Sequence, residues 1–259
     1  MKEDLSICLL QCDLHWQDSR KNRIQIQEYL KQVIGADIIV LPEMFNTGFS
    51  VRAIHLAETM EGETLAWMKS ISRKKNAVLC GSIMVKDGDA VYNRFLWAEP
   101  TGRVLHYDKR HLFNLIGEGE YFTAGTERLI VDYQGWKICP LICYDLRFPV
   151  FSRNDVDYDL LLYVANWPEK RIAAWDVLLK ARAIENQAYV VGLNRVGLDG
   201  NDINYTGHSQ VVDADGSLIS MTPENETGLV ELTLSKEHLY SIREKLPFLK
   251  DRDAFEMQG

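Results

Sequence analysis

Four segments of this chain, DIIVLPEM at 37–44, WKICPLIC at 136–143, DLLLYVANW at 159–167 and AYVVGLNRVG at 188–197, are apolar on consecutive positions. A strand with one wet face alternates; these do not. They demand sheets covered on both faces, and therefore a fold in which helices flank strands. The helices are legible between them. Residues 20–34 carry Ile24, Ile26, Tyr29, Leu30 and Val33 at spacings that suit an amphipathic helix, with Gly35 to end it. Residues 64–76 place Leu65, Met68 and Ile71 at helical spacing, and 173–187 read as a third helix.

SICLLQC at 6–12 and AVLCGSIMV at 77–85 complete a βαβαβ opening. The pattern then turns into a meander. Lys86-Asp87-Gly88-Asp89 joins AVLCGSIMV to AVYNRFLWAEP, and Pro100-Thr101-Gly102 leads into RVLHYDKRHL. The second half repeats the scheme: strands, a helix, then the hairpin SQVVDADGSLISMT turning at Asp215-Gly216. The tail from Lys236 reads as helix and then irregular chain. Two sheets packed face to face with helices outside account for this order; periodicity alone leaves a doubly wound sheet open. Without a linker or a repeat, 1–259 reads as one domain.

Charge narrows the partners. The net charge is −8, which disfavours nucleic acid and anionic membrane surfaces, both of which attract basic patches. The N-terminus has acids where a signal peptide needs bases, and no apolar run reaches membrane-spanning length. Five cysteines in a chain of this size suggest free thiols in a reducing, cytoplasmic setting.

Charged or reactive residues stand where three strands stop. Glu43 follows DIIVLP, Lys109 follows VLHYD and Cys143 closes the run before Tyr144, Asp145 and Arg147. Each has an ordinary explanation: a loop charge for the first two, a small buried hydrophobe for the cysteine. Together they form a chemically sensible set. A thiol at a strand-to-helix turn is surrounded by backbone N–H groups, a carboxylate can take its proton, and an ammonium can hold an oxyanion. No histidine stands in a cysteine-protease signature. Cys139 and Cys143 are four apart, and His106 and His111 five apart, neither a usual zinc spacing, so no metal is expected.

LPEMFNTGF at 41–49, YDKRHLF at 107–113 and LICYDLRFP at 141–149 resemble the three catalytic blocks of the nitrilase superfamily of carbon–nitrogen hydrolases. VANWP at 164–168 and KARAIENQAYVVGLNRVG at 180–197 are similar to further blocks in the same order. The likeness is strongest to the omega-amidase branch, whose members hydrolyse 2-oxoglutaramate and 2-oxosuccinamate. It implies an αββα sandwich of two mixed sheets covered by helices, no cofactor, and a homodimer or higher homo-oligomer.

The resemblance assigns Glu43 as general base, Lys109 as oxyanion stabiliser and Cys143 as nucleophile. The family's second glutamate falls in GEGEYFTAG, on Glu118 by count from Gly125, with Glu120 as the alternative. A small amide ending in a carboxylate needs a further cation. Arg147 is the candidate, although an internal pair with Asp145 or another acid is the competing use. Tyr144 is placed to offer a backbone N–H to the oxyanion, and Phe45, Tyr121 and Trp167 to wall the pocket. Arg182, Glu185 and Asn186 are read as packing or interface residues, and Trp136 and Trp175 as core. Other outcomes remain: a nitrile or N-carbamoyl substrate, transfer of the thioester to an amine, or a non-catalytic scaffold, which would be expected to lose the triad.

Overall fold

The computed structural model describes residues 2–256. Its first half runs β1 (Asp4–Gln11), α1 (Ser19–Leu30), β2 (Ile38–Val40), α2 (Glu63–Lys75), β3 (Val78–Asp87), β4 (Ala90–Ala98) and β5 (Val104–Asp108). The second half runs β6 (Val131–Tyr133), β7 (Trp136–Ile142), β8 (Leu160–Ala165), α3 (Ile172–Asn186), β9 (Tyr189–Asn194), β10 (Val196–Leu198), β11 (Asn204–Thr206), β12 (Gln210–Val212), β13 (Leu218–Met221), β14 (Gly228–Ser235) and α4 (Lys236–Lys245).

These strands form two six-stranded mixed sheets and a small ribbon. The first sheet has the order β14-β1-β2-β3-β4-β5, the second β13-β12-β9-β8-β7-β6, and β10 pairs with β11. The sheets pack on each other. Ile7, Val40 and Trp97 of the first share one apolar cluster with Leu141, Tyr163 and Val191 of the second. The other face of the first sheet lies under helices: Cys8, Leu10 and Ile39 cluster with Ile26 and Leu30 of α1 and with Leu65 and Met68 of α2. Burial of alternate residues on opposite sides explains why the strands are apolar without interruption. On the far side α3 seats so closely that a Cβ at Gly192 would lie 2.5 Å from Leu179. The result is the αββα sandwich. No helix among the described residues is long and apolar enough to cross a membrane.

Three expectations change in detail. α1 ends at Leu30, not at Ile34, and Ile24 points outward at 55 % exposure. The buried stripe of that helix is Asn22, Ile26 and Leu30, because Asn22 donates to the carbonyls of His15 and Asn46 and so replaces an apolar contact. The run AYVVGLNRVG breaks at Arg195 into β9 and β10. Residues 228–235, to which the sequence reading assigns no element, form β14 along the full length of β1. As an edge strand with one partner it is only partly buried, and its signal is correspondingly weak.

β1, β2 and β3 are parallel neighbours, as are β7, β8 and β9. The carboxyl ends of each set lie along one edge, which brings the residues after β2, β5, β7 and β8 within reach of one another.

Candidate active site

Glu43 and Lys109 are delivered by β2 and β5, and both are fully buried. Lys109 Nζ donates to Glu43 Oε1 at 3.0 Å and to the Glu118 carboxylate at 3.0 and 3.1 Å. The ammonium therefore sits between two carboxylates, over the Phe49 ring at 5.0 Å. Burial opposes its charge, but Glu118 and Glu43 outweigh burial and raise its pKa. Lys109 is a fixed cation. Burial also raises the pKa of Glu118, while Lys109 holds it down. Of the two candidate glutamates in this loop, Glu118 is the one buried against Lys109. It also accepts from the backbone N–H of Phe113 at 2.5 Å, whereas Glu120 lies exposed.

Glu43 has its oxygens fully engaged. Asn93 Nδ2 donates to Oε1 at 2.8 Å, and the backbone N–H of Asn166 donates to Oε2 at 2.8 Å. The Asn166 side chain donates in addition to the Glu43 carbonyl at 2.7 Å. Such clamping leaves the carboxylate one orientation.

Cys143 opens a short 3₁₀ turn, Cys143–Arg147, directly after β7. Its φ is +44°, an uncommon left-handed conformation for a residue with a Cβ, which aims the side chain out of the sheet line. Its Sγ lies 3.9 Å from the Asn166 carbonyl. Burial, then the charge of Glu43, push the thiol pKa well above its ordinary value, and Lys109 opposes them. Burial and the nearby Glu43 carboxylate both favour the protonated sulfur.

Asp145 holds the turn. Fully buried, it accepts from Tyr107 Oη at 2.7 Å and from the backbone N–H groups of Ile142 at 2.9 Å and His111 at 3.1 Å. The His111 ring lies 2.8 Å from it through Nδ1 and stacks on Phe148. His111 thus supports the turn, and the carboxylate at the thiol is that of Glu43. Arg182 braces the same turn from behind, donating to the Leu146 carbonyl at 2.6 Å and pairing with Glu185 at 2.9 Å. Asn186 accepts from the Asn154 N–H at 2.8 Å. These three are packing residues, and Trp136 and Trp175 are core, as the sequence suggests.

A cavity of about 50 Å³ opens at Cys143, with Tyr144, Arg147, Trp167, Phe49 and Tyr205 among its lining residues. The Arg147 guanidinium lies over the Trp167 ring at 4.8 Å. Asp145 is fully occupied elsewhere, and no carboxylate among the described residues pairs with Arg147, so the competing internal use falls away. Two expected pocket walls are misplaced. Phe45 is fully buried in the cluster between the first sheet and α2, against Trp67. Tyr121 packs with Met44, Val91 and Phe122 beside the site. Each follows a charged site residue closely in sequence, but the next residues along an irregular segment turn into the core. Phe49 takes the wall position instead. Sequence reasoning also missed Asn93 and Asn166. Asn166 carried the same signal as Glu43, a polar residue where an apolar strand stops. Asn93 carried none, being one polar residue inside a strand. Among the described residues no group of three or more His, Cys, Asp or Glu side chains is arranged to hold a metal ion.

This arrangement can hold a thiol, a base and a cation around one carbonyl carbon. Known proteins resemble the chain over nearly its full length. The family model for carbon–nitrogen hydrolase matches residues 6–244. The omega-amidase YafV of Escherichia coli K12 is 45 % identical over 253 residues, covering 98 % of this chain and 98 % of that protein. The 2-oxoglutaramate amidase of Bacillus subtilis is 32 % identical over 252 residues, covering 95 % and 96 %. A CN-hydrolase superfamily protein of Xanthomonas campestris, whose crystal structure carries an arsenic adduct in the active site, is 42 % identical with a TM-score of 0.97, covering 99 % and 100 %.

Proposed function

The chain belongs to the carbon–nitrogen hydrolase family, and from that we propose that it is an omega-amidase, releasing ammonia from the terminal amide of 2-oxo dicarboxylic acid monoamides such as 2-oxoglutaramate and 2-oxosuccinamate. The likeness over nearly the full length to proteins named omega-amidase and 2-oxoglutaramate amidase supports the substrate class. The single observation that carries the chemistry is the contact of Lys109 with Glu43 and Glu118 beside the Cys143 thiol.

In this reading Cys143 Sγ attacks the amide carbonyl carbon while its proton passes to Glu43. The carbonyl oxygen becomes an oxyanion, held by Lys109 Nζ and the backbone N–H of Tyr144. Glu43 returns the proton to the nitrogen, the carbon–nitrogen bond breaks and ammonia leaves, with a thioester behind. Glu43 then takes a proton from water, whose oxygen attacks the thioester. The carbon–sulfur bond breaks, the proton returns to sulfur and the acid departs. Arg147, over the Trp167 ring and with no carboxylate partner among the described residues, is the cation for the substrate carboxylate.

The same proposal takes the whole chain as one domain in a homodimer or higher homo-oligomer. Val177 and Ile184 on α3, 65 % and 52 % exposed, are apolar surface that a second copy would cover. The five free thiols suit a reducing, cytoplasmic setting.

The decisive experiment is ammonia release from 2-oxoglutaramate, set against glutamine and asparagine. Turnover of the 2-oxo amide well above both amino acids is expected. Equal or faster release from glutamine, or none from 2-oxoglutaramate, would overturn the substrate assignment.

A further inference from the structure

Although the chain carries a net charge of −8, the cavity at Cys143 is lined by three cations, Lys109, Arg147 and Arg171, and by no acid among the described residues. Lys109 is neutralised by its two buried glutamates. The two arginines are not. Arg147 lies over Trp167 at 4.8 Å and Arg171 over Phe113 at 5.1 Å, and neither pairs with a carboxylate among the described residues. Nearby acids are engaged elsewhere. Glu169, two residues before Arg171, accepts from Asn204, and Asp199 accepts from Tyr205 and from two backbone N–H groups.

Arg171 is also held. Its N–H donates to the Pro168 carbonyl at 3.0 Å, and its own carbonyl accepts from Trp167 Nε1 at 2.8 Å. The ring under Arg147 is therefore bonded to the backbone of Arg171, which ties the two guanidinium groups to one frame. Aromatic faces orient a guanidinium without neutralising it and leave its N–H edge free. One spare cation suffices for a lone carboxylate. Two, with no acid opposite, suit a group that presents a carboxylate and an adjacent carbonyl oxygen in one plane, and they repel an ammonium at that position.

We propose that Arg171 is a specificity-determining residue that acts with Arg147 to read the 2-oxo acid end of the substrate and to reject the 2-amino acid end of glutamine or asparagine. This rests on the omega-amidase reading above and assigns the discrimination within it to a residue outside the catalytic set.

The test compares wild type with Arg171→Ala and Arg171→Lys on 2-oxoglutaramate and glutamine, with the product 2-oxoglutarate as competitive inhibitor and iodoacetamide as a neutral probe of Cys143. For Arg171→Ala the KM for 2-oxoglutaramate and the inhibition constant of 2-oxoglutarate should both rise about tenfold or more, as expected for loss of one charge-assisted contact. The fall in kcat should be smaller, the preference for 2-oxoglutaramate over glutamine should narrow, and Cys143 labelling should proceed at the wild-type rate. Arg171→Lys, which keeps the charge but not the fork, should fall between. A wild type inactive on 2-oxoglutaramate would overturn the omega-amidase reading and this inference with it. An active wild type with unchanged KM and inhibition constant in Arg171→Ala would overturn this inference alone. So would slowed Cys143 labelling in both variants, which would mark Arg171 as structural.

Discussion

Glu43 and Lys109 stand 66 residues apart in the chain, yet Lys109 Nζ meets Glu43 Oε1 at 3.0 Å with neither side chain exposed. A buried ion pair of this kind is poor evidence of stability, since desolvation offsets most of the attraction. It fits better as a device that holds a base and a cation at fixed positions beside a thiol.

Replacing Cys143 with Ala should reduce ammonia release by at least about 10³-fold, and Glu43→Gln by about 10²–10⁴-fold. Alanine leaves the Cys143 turn intact and should change the urea midpoint little. Glutamine keeps the shape of Glu43, but its NH2 group must face the donors of Asn93 and Lys109 or the Asn166 N–H, so Glu43→Gln should also lose about 1–3 kcal/mol of stability. Substantial turnover by the Cys143 variant would remove the thioester mechanism.

Lys109→Met should behave differently from either. It abolishes activity and also strands two fully buried carboxylates, which costs about 3–5 kcal/mol for a broken buried pair. Glu118→Gln should be milder in stability, because Lys109 keeps Glu43 as partner. Urea unfolding of the two variants checks the order; equal stability in both would contradict the shared-cation geometry.

Asp145→Ala tests the support of the nucleophile turn. It leaves Tyr107, Ile142 and His111 donors without their acceptor, at about 1–3 kcal/mol for each buried unsatisfied group. Activity should fall together with thermal stability, and iodoacetamide labelling of Cys143 should change. A variant as stable as wild type would show that the network contributes little.

Stability should fall on the alkaline side. Burial pushes Cys8, Cys12 and Cys139 up to about 12, and raises Cys80 and Cys143 well above 9.0. The folded chain thus keeps protons that the unfolded chain releases. A raised pKa gives stability that is full below the unfolded value and is lost as pH rises through the folded one. Above about pH 9 the loss should approach about 1.4 kcal/mol per pH unit for each such thiol. Urea midpoints at pH 8, 9 and 10 should decline with an increasing slope; a flat profile would contradict the burial of the thiols.

Much of this site is legible one strand at a time. Continuous apolar runs imply sheets buried on both faces, and a charged residue at the end of such a run is costly unless something waits for it. Glu43, Lys109 and Cys143 can be singled out on that ground, and the order of their motifs names the family. That logic is local, because it depends only on a residue and its chain neighbours. It does not reach Asn93, which lies inside a strand, or Phe49, which replaces Phe45 at the wall by the course of an irregular segment. Nor could it choose between Asp145 and a substrate for Arg147, or find Arg171. Those depend on which side chains from distant elements face the same space. Only the packing of the two sheets sets that, by turning the carboxyl ends of β2, β5, β7 and β8 toward one another and giving Asp145 other partners.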